Sequence, residues 1–277
     1  MRKACIIGYP VAHSRSPLVH GYWLKHHGLV GSYDKAEVKP GDFQRFIHAM
    51  PEQGYGGGNI TVPHKLAMLA LAKHRSPAAV AVGAANTLWF EHGEICVDNT
   101  DIEGFVANLD AGAPGWDRNC EIALVLGAGG ASRAIIYGLL QRGCERVLVA
   151  NRTLSAVEAL VQDFGPKIRA LHWQDIPRQV PDVDILVNST SLGMVGQGAL
   201  DLDLGGLPGH AVVSDAVYVP LETELLARAR LRGLQTVGGL GMLLHQAVPG
   251  FERWFGLRPA VTPALTRLVE ADVEAGH

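Results

Sequence analysis

Residues 122–140, IALVLGAGGASRAIIYGLL, decide the fold. Ile122 to Leu126 form an unbroken apolar run that leads into Gly127, Gly129 and Gly130 and then into an amphipathic helical pattern. Glycines at a strand-to-helix turn let the backbone bend tightly and approach a pyrophosphate, whose charge the helix N-terminus stabilises. Ser132 stands where a third glycine or alanine is usual. The bare motif is therefore incomplete, and the strand–loop–helix context supports dinucleotide binding over a turn that carries glycines for its geometry alone. At the end of the next strand-like run, 24 residues after Gly127, an NAD enzyme would place an acid for the ribose 2′-hydroxyl; this chain has Asn151, Arg152 and Thr153. A guanidinium and hydroxyl donors suit a 2′-phosphate that a carboxylate would repel, so the expected cofactor is NADP.

Strand-like runs recur around this stretch at Arg146–Ala150, Asp184–Asn188 and Val212–Asp215, separated by helical patterns, which predicts a parallel doubly wound sheet. Upstream the texture is mixed. Ala4–Gly8 reads as a strand followed by a helix with Ser16 as N-cap and Pro17 first inside it. Asn59–Val62 is a β-branched run after three glycines, and Pro63 is expected to open the helix that holds Lys65. Asn86–Phe90 and Ile95–Asp98 read as a hairpin across His92 and Gly93, with Asn99, Thr100 and Asp101 leading into a helix. After Gly239 the pattern is helical to the end, with Pro249 as a break and Thr262–Pro263 as a restart. The expected architecture is α/β in two domains: residues 1–101, completed by helices in 245–277, with a mixed sheet for substrate and catalysis, and residues 102–244 as a Rossmann-like NADP domain.

With 24 Lys+Arg against 27 Asp+Glu the formal net charge is −3, and no basic cluster of the kind that neutralises phosphates occurs, so a nucleic-acid partner is not expected. No apolar run is long enough to span a bilayer, and the N-terminal run is broken by Gly8, Pro10 and His13 before reaching signal-peptide length, so a cytoplasmic protein is expected. Cys5, Cys96, Cys120 and Cys144 lack a CxxC spacing and are expected to be reduced packing residues. No GxSxG or HExxH occurs, which removes the hydrolase and zinc-protease readings, and no metal is expected. Ser14, Ser16, Asn59, Thr61, Lys65, Asn86 and Asp101, mostly at strand ends, together with Gln246, could satisfy several hydroxyls and a carboxylate on a small molecule. Taken singly, each has an ordinary structural reading as cap, turn or surface residue.

AHSRSP (12–17), GGNITVPHK (57–65), GAANTL (83–88), DNTD (98–101), GAGGAS (127–132), NRT (151–153), NSTSLG (188–193), DAVYVP (215–220) and GLGMLLHQA (239–247), in this order, resemble the shikimate dehydrogenase family over nearly the whole chain. The resemblance implies reversible NADP-dependent reduction of 3-dehydroshikimate to shikimate, on the route to aromatic amino acids. It implies a substrate shell of Ser14, Ser16, Asn59, Thr61, Lys65, Asn86, Asp101, Tyr218 and Gln246. It assigns to the cofactor Gly127, Ala128, Gly129, Gly130 and Ala131, then Asn151, Arg152, Thr153, Thr190, Ala216, Gly239 and Met242. Within it Lys65 fits the general acid and base, with Asp101 holding its ammonium. Three positions depart from the family pattern. Ala156 stands where many relatives carry a second basic residue near the 2′-phosphate, Pro77 where an acid is common, and Gly238 where Asp is frequent. Two alternatives stay open: a quinate or quinate/shikimate sibling that uses NAD, and a catalytically silent NADP-binding regulatory module. A homodimer is left open as the assembly.

Overall fold

The structure, a computed structural model, describes residues 2–276. The chain forms two compact units, one made of the residues up to Asp101 together with those from Leu244 on, the other of Ile102–Leu243.

The first unit contains β1 (Arg2–Gly8), α1 (Ser16–His26), β2 (Gly31–Glu37), α2 (Phe43–Ala49), β3 (Tyr55–Ile60), α3 (Lys65–Leu71), β4 (His74–Arg75), α4 (Pro77–Val82), β5 (Thr87–Glu91) and β6 (Glu94–Asp98). Its sheet has the order β2-β1-β3-β5-β6-β4. β2, β1 and β3 run parallel, while β5 runs antiparallel to both β3 and β6, so the sheet is mixed as expected. Register places the polar residues. Ile7 pairs with Ile60, Asn59 with Thr87, and Thr87 with Asp98. The exits of β1, β3 and β6 and the entrance of β5 therefore lie at one end of the sheet, where loop residues gather. The β5–β6 turn has His92 at φ 52° and Gly93 at φ 81°, the left-handed pair that matches the strand twist.

The second unit contains α5 (Asp101–Gly112, its first residue shared with the boundary), β7 (Ile122–Leu126), α6 (Gly130–Gln141), β8 (Arg146–Ala150), α7 (Leu154–Phe164), β9 (Ile168–Leu171), α8 (Ile176–Gln179), β10 (Ile185–Asn188), β11 (Val212–Asp215), α9 (Glu224–Leu231), β12 (Gln235–Val237) and α10 (Leu240–His245). Its sheet is parallel throughout, in the order β12-β11-β10-β7-β8-β9, the doubly wound order in which the chain reverses direction between β7 and β10. Alternate residues of each strand enter different cores, which is why these strands are apolar throughout. Ala123 and Val125 pack with Ile135, Ile136 and Leu139 of α6, whereas Leu124 and Leu126 pack with Leu186, Val213 and Leu225.

α11 (Ala247–Phe255) and α12 (Pro263–Glu274) return to the first unit. Phe251 and Trp254 of α11 join Trp23 and His20 of α1 in an aromatic cluster, and each fully buried side chain of this kind contributes about 1.5–3 kcal/mol. The Trp254 indole donates to the Leu88 carbonyl at 2.9 Å and lies directly over Gly57, where any Cβ would overlap it.

Several sequence expectations are corrected. Ser16 is the first residue of α1 rather than its cap; Arg15 occupies the cap position without a side-chain capping bond, and the Ser16 amide donates to Ser14 Oγ at 3.3 Å. Pro63 lies in a turn closed by His64 N donating to Thr61 O at 2.9 Å, and the helix begins at Lys65. Pro249 does not break the helix. It is the third residue of α11, where an amide has no partner inside the helix, and the interruption falls at Gln246. Cys120 and Cys144 are not reduced; they form a disulfide with a Cα separation of 5.0 Å. The reason is register: Ile122 pairs with Arg146, so the two residues that lie two places upstream of each also face one another. Cys5 and Cys96 are buried free thiols, as expected. Among the described residues no helix is long and apolar enough to cross a membrane, and no cluster of metal-ligating side chains occurs.

Candidate active site

In the first unit, β5 and β6 set Asn86 and the Asn99–Asp101 stretch side by side, and the β3 exit delivers Lys65 on the first turn of α3. Lys65 Nζ lies 2.6 Å from Asp101 Oδ2, with the two side chains 28% and 14% exposed, so the pair is sheltered yet reachable. Asn86 Nδ2 donates to Asp101 Oδ1 at 2.8 Å, while Asn86 Oδ1 accepts from Thr100 N at 2.8 Å and from Thr87 Oγ1 at 3.1 Å. Asn59 is buried, donating to Thr87 Oγ1 and to the Asn86 carbonyl, each at 3.3 Å, and accepting from the Tyr33 phenol at 2.6 Å. Gln246 contributes its backbone: its carbonyl accepts from Thr100 Oγ1 at 2.8 Å.

Ser14 and Ser16 form a second group in the loop between β1 and α1, with Ser14 Oγ donating to Ser16 Oγ at 3.3 Å. That loop is anchored by Arg15 to Asp272 of α12 at 2.8 Å, by Lys35 to the Ala12 carbonyl, and by Val11 N to Glu37 at 3.3 Å. Thr61 follows β3, its amide donating to the Ile7 carbonyl at 2.9 Å, and its methyl fills the space in front of Gly8. Tyr218 belongs to the second unit, in the turn after β11 that carries the cis Val219–Pro220 bond.

In the second unit the glycine loop sits where the sheet reverses direction. Gly127 has φ 106°, a left-handed conformation, and a Cβ there would lie 2.8 Å from Ser189 Oγ. Gly129 and Gly130 carry no side chain at the N-terminus of α6, and the open space beside them leaves room for a pyrophosphate at the helix start. Ser132 has a job that a third glycine could not do. Its hydroxyl accepts from Gly129 N at 3.0 Å and bonds Ser189 Oγ at 2.7 Å, and Ser189 in turn donates to the Leu126 carbonyl at 2.6 Å. Thr190 is held by its amide and hydroxyl on Asn188 Oδ1, at 3.1 and 2.7 Å. Asn188 donates to Asp215 at 2.9 Å, and Asp215 accepts from Val217 N at 3.0 Å and Thr223 Oγ1 at 2.7 Å. Burial raises the Asp215 carboxyl above its ordinary value, with the Thr223, Val217 and Asn188 donors pulling it back. Ala128, Ala216 and Met242 pack partly buried against one core, and Gly239 lies too close to the Ala216 carbonyl for any side chain. Asn151 bonds the Thr153 carbonyl at 3.0 Å beyond β8, and Arg152 is exposed beside it.

Tyr33, Thr87, Thr100, Ser189, Asn188, Asp215 and Thr223 are supports that the sequence reading did not single out. Thr87, Thr100, Asn188, Ser189 and Asp215 lie inside the stretches that resemble the family; Tyr33 lies in a polar strand, GSYDKAE, with no motif around it.

The chain matches family models described as the shikimate dehydrogenase substrate binding domain over residues 6–88, shikimate / quinate 5-dehydrogenase over 116–194, and the shikimate 5'-dehydrogenase C-terminal domain over 239–267. It is 56% identical to the shikimate dehydrogenase (NADP(+)) of Azorhizobium caulinodans, over 99% of this chain and 98% of that protein. A solved shikimate 5-dehydrogenase from Thermus thermophilus, in complex with NADP(H) and shikimate, superposes with a TM-score of 0.83 at 34% identity, covering 100% of both chains. A quinate dehydrogenase from Corynebacterium glutamicum, in complex with NAD, superposes with a TM-score of 0.90 at 29% identity, covering 97% of this chain and 98% of that one.

Proposed function

Because this chain belongs to the shikimate dehydrogenase family, we propose that it catalyses the reversible NADPH-dependent reduction of 3-dehydroshikimate to shikimate. The observation that carries the reading is the Lys65–Asp101 pair at 2.6 Å, with the other carboxylate oxygen occupied by Asn86. NADPH, when bound, supplies the hydride that the ketone carbon accepts. The amides at Gly127–Ala131 suit its pyrophosphate, and Asn151, Arg152 and Thr153 suit its 2′-phosphate. Thr190, Ala216, Gly239 and Met242 are read as further cofactor contacts from the family resemblance.

Lys65 donates the proton that neutralises the oxygen as it becomes an alkoxide, and takes one back in the reverse direction. Asp101 holds the ammonium in one place and turns the same carboxylate toward a substrate hydroxyl. Ser14 and Ser16 offer hydroxyls to the substrate carboxylate, and Thr61, Asn59, Asn86, Gln246 and Tyr218 complete the shell. Residues 1–101 with 245–277 act as the substrate domain and 102–244 as the NADP domain. The reading includes a cytoplasmic setting and no nucleic-acid partner, the latter supported by the net charge of −3. Light scattering decides between monomer and homodimer.

The second reading, a quinate-oxidising sibling, is favoured by the match to the NAD-bound quinate dehydrogenase and by Ala156; Arg152 and the serine pair oppose it. NADPH absorbance followed with shikimate and with quinate separates the two. Shikimate should win clearly with NADP, and quinate matching it would shift the assignment. Lys65→Ala should lower kcat by ~10²- to 10⁴-fold while NADP binding and melting temperature stay near normal. Near-normal turnover in this variant would remove the proton-transfer role.

A further inference from the structure

We propose that Tyr33 is a positioning residue for the proton-transfer pair, acting through an unbroken hydrogen-bonded chain that starts at its phenol and ends at Lys65. The proposal rests on the reading of Lys65 and Asp101 given above. Tyr33 is the one inward-facing aromatic of β2, stacked on the His20 ring at 4.0 Å. Its phenol donates to Asn59 Oδ1 at 2.6 Å. With that oxygen taken, the Asn59 amide nitrogen must face Thr87 Oγ1 and the Asn86 carbonyl, both at 3.3 Å. Thr87 Oγ1 donates to Asn86 Oδ1 at 3.1 Å, an oxygen that also accepts from Thr100 N, and the same hydroxyl lies 3.1 Å from Thr100 Oγ1. The Asn86 nitrogen is thereby turned onto Asp101 Oδ1 at 2.8 Å, leaving Oδ2 for Lys65.

The chain runs in one sense, donor to acceptor, from the Tyr33 phenol through Asn59 and Thr87 to Asn86, and the Thr100 amide holds Asn86 Oδ1 from the other side. If Asn86 turned over, its carbonyl oxygen would face the Asp101 carboxylate, and two acceptors would repel where a bond now holds. Burial pushes the Tyr33 phenol well above its ordinary value, so it remains a donor throughout the working range of pH.

The test is steady-state kinetics of Tyr33→Phe, Thr87→Val, the double variant and Lys65→Ala, each with shikimate and NADP. Tyr33→Phe keeps the ring in its stack and removes only the donor. It should lower kcat on the order of tenfold, with the NADP KM and melting temperature little changed, because a displaced Asp101 misplaces the ammonium rather than the cofactor. Thr87→Val cuts the same chain further along and should give the same split of kcat against KM. The double variant should be no worse than the more severe single one, since a chain is broken only once. Multiplying losses in the double variant, or normal kcat in Tyr33→Phe alongside an inactive Lys65→Ala, would overturn the relay alone; an active Lys65→Ala would overturn the reading of the pair and the relay with it. Should Tyr33→Phe fail to fold, Thr87→Ser decides: it retains the hydroxyl and should recover most of what Thr87→Val loses, and equal losses would overturn the proposal.

Discussion

The two units solve opposite problems with similar residues. In the first, buried amides and hydroxyls hand one another fixed orientations until the last of them places a charged pair, Lys65 and Asp101, where it is partly exposed. In the second, Ser132, Ser189, Asn188, Asp215 and Thr223 spend their polar atoms on loop backbone and on each other, and Gly129 and Gly130 leave open space beside the main chain at the N-terminus of α6. Side chains present chemistry in one place and hold the main chain ready in the other. Substitutions in the first unit should therefore register in turnover, whereas those in the second should register in cofactor affinity or in stability.

Arg152→Ala is the sharpest way to break that contrast, because Arg152 is the charged side chain of the second unit proposed to bind the cofactor directly. A lost charge-assisted bond to the 2′-phosphate should raise the NADP KM by roughly 10- to 100-fold and leave the NAD KM nearly unchanged. Equal losses with both cofactors would remove the assignment. Ala156→Arg should move the cofactor ratio the other way, and an unchanged ratio would show that α7 does not reach the phosphate.

Thr223→Val tests whether the buried network of the second unit is structural. The variant leaves Asp215 short of a donor and removes the side-chain cap of α9, at a cost of about 1–3 kcal/mol by urea denaturation, with kcat unchanged. The bond favours the carboxylate, so its loss raises an already raised carboxyl value. The deficit should therefore be full at neutral pH and shrink as pH falls toward the ordinary value of 3.8. A fall in kcat without a fall in stability would contradict the division of labour.

The smallest expected effect lies in the first unit. His20 is wholly buried among aromatic rings, and burial lowers its imidazole from 6.5 to about 3. The folded chain holds the ring neutral, so the stability this provides is complete above 6.5 and is lost as pH falls toward 3, at up to about 1.4 kcal/mol per pH unit. His20→Phe should flatten that acid slope when unfolding is compared at pH 7 and pH 5, and an unchanged slope would place the acid sensitivity on other groups.

What the sequence disclosed follows the same contrast. The eight strands legible in it are the interior ones of the two sheets, whose apolar or β-branched runs announce burial. The four that escaped, β2, β4, β9 and β12, are the edges, two to seven residues long. β4, β9 and β12 are too short, at two to four residues, to carry a hydrophobic period, and β2, GSYDKAE, is polar because water satisfies one side of an edge strand. The glycine loop stood out because it needs a particular residue type at a particular turn, whereas Lys65, ordinary when taken singly, was legible through the family resemblance. Tyr33 did not, because its importance comes from meeting Asn59 across strands, 26 residues away in the chain. The disulfide was hidden for the same reason: it follows from the pairing of Ile122 with Arg146, which no Cys spacing reveals.

The first unit is sewn together from the two ends of the chain: Trp23 Nε1 bonds the Ala260 carbonyl, Arg15 reaches Asp272, and Trp254 closes over Leu88. A ribosome delivers these partners far apart in time. At about 5–20 residues per second, β6 is made on the order of ten seconds or more before α11 exists. The second unit, contiguous from Ile102 to Leu243, emerges whole during that wait. The apolar face built around Trp23 must meanwhile stay uncovered in the nascent chain, so the half of the enzyme that is translated first is the half that finishes folding last.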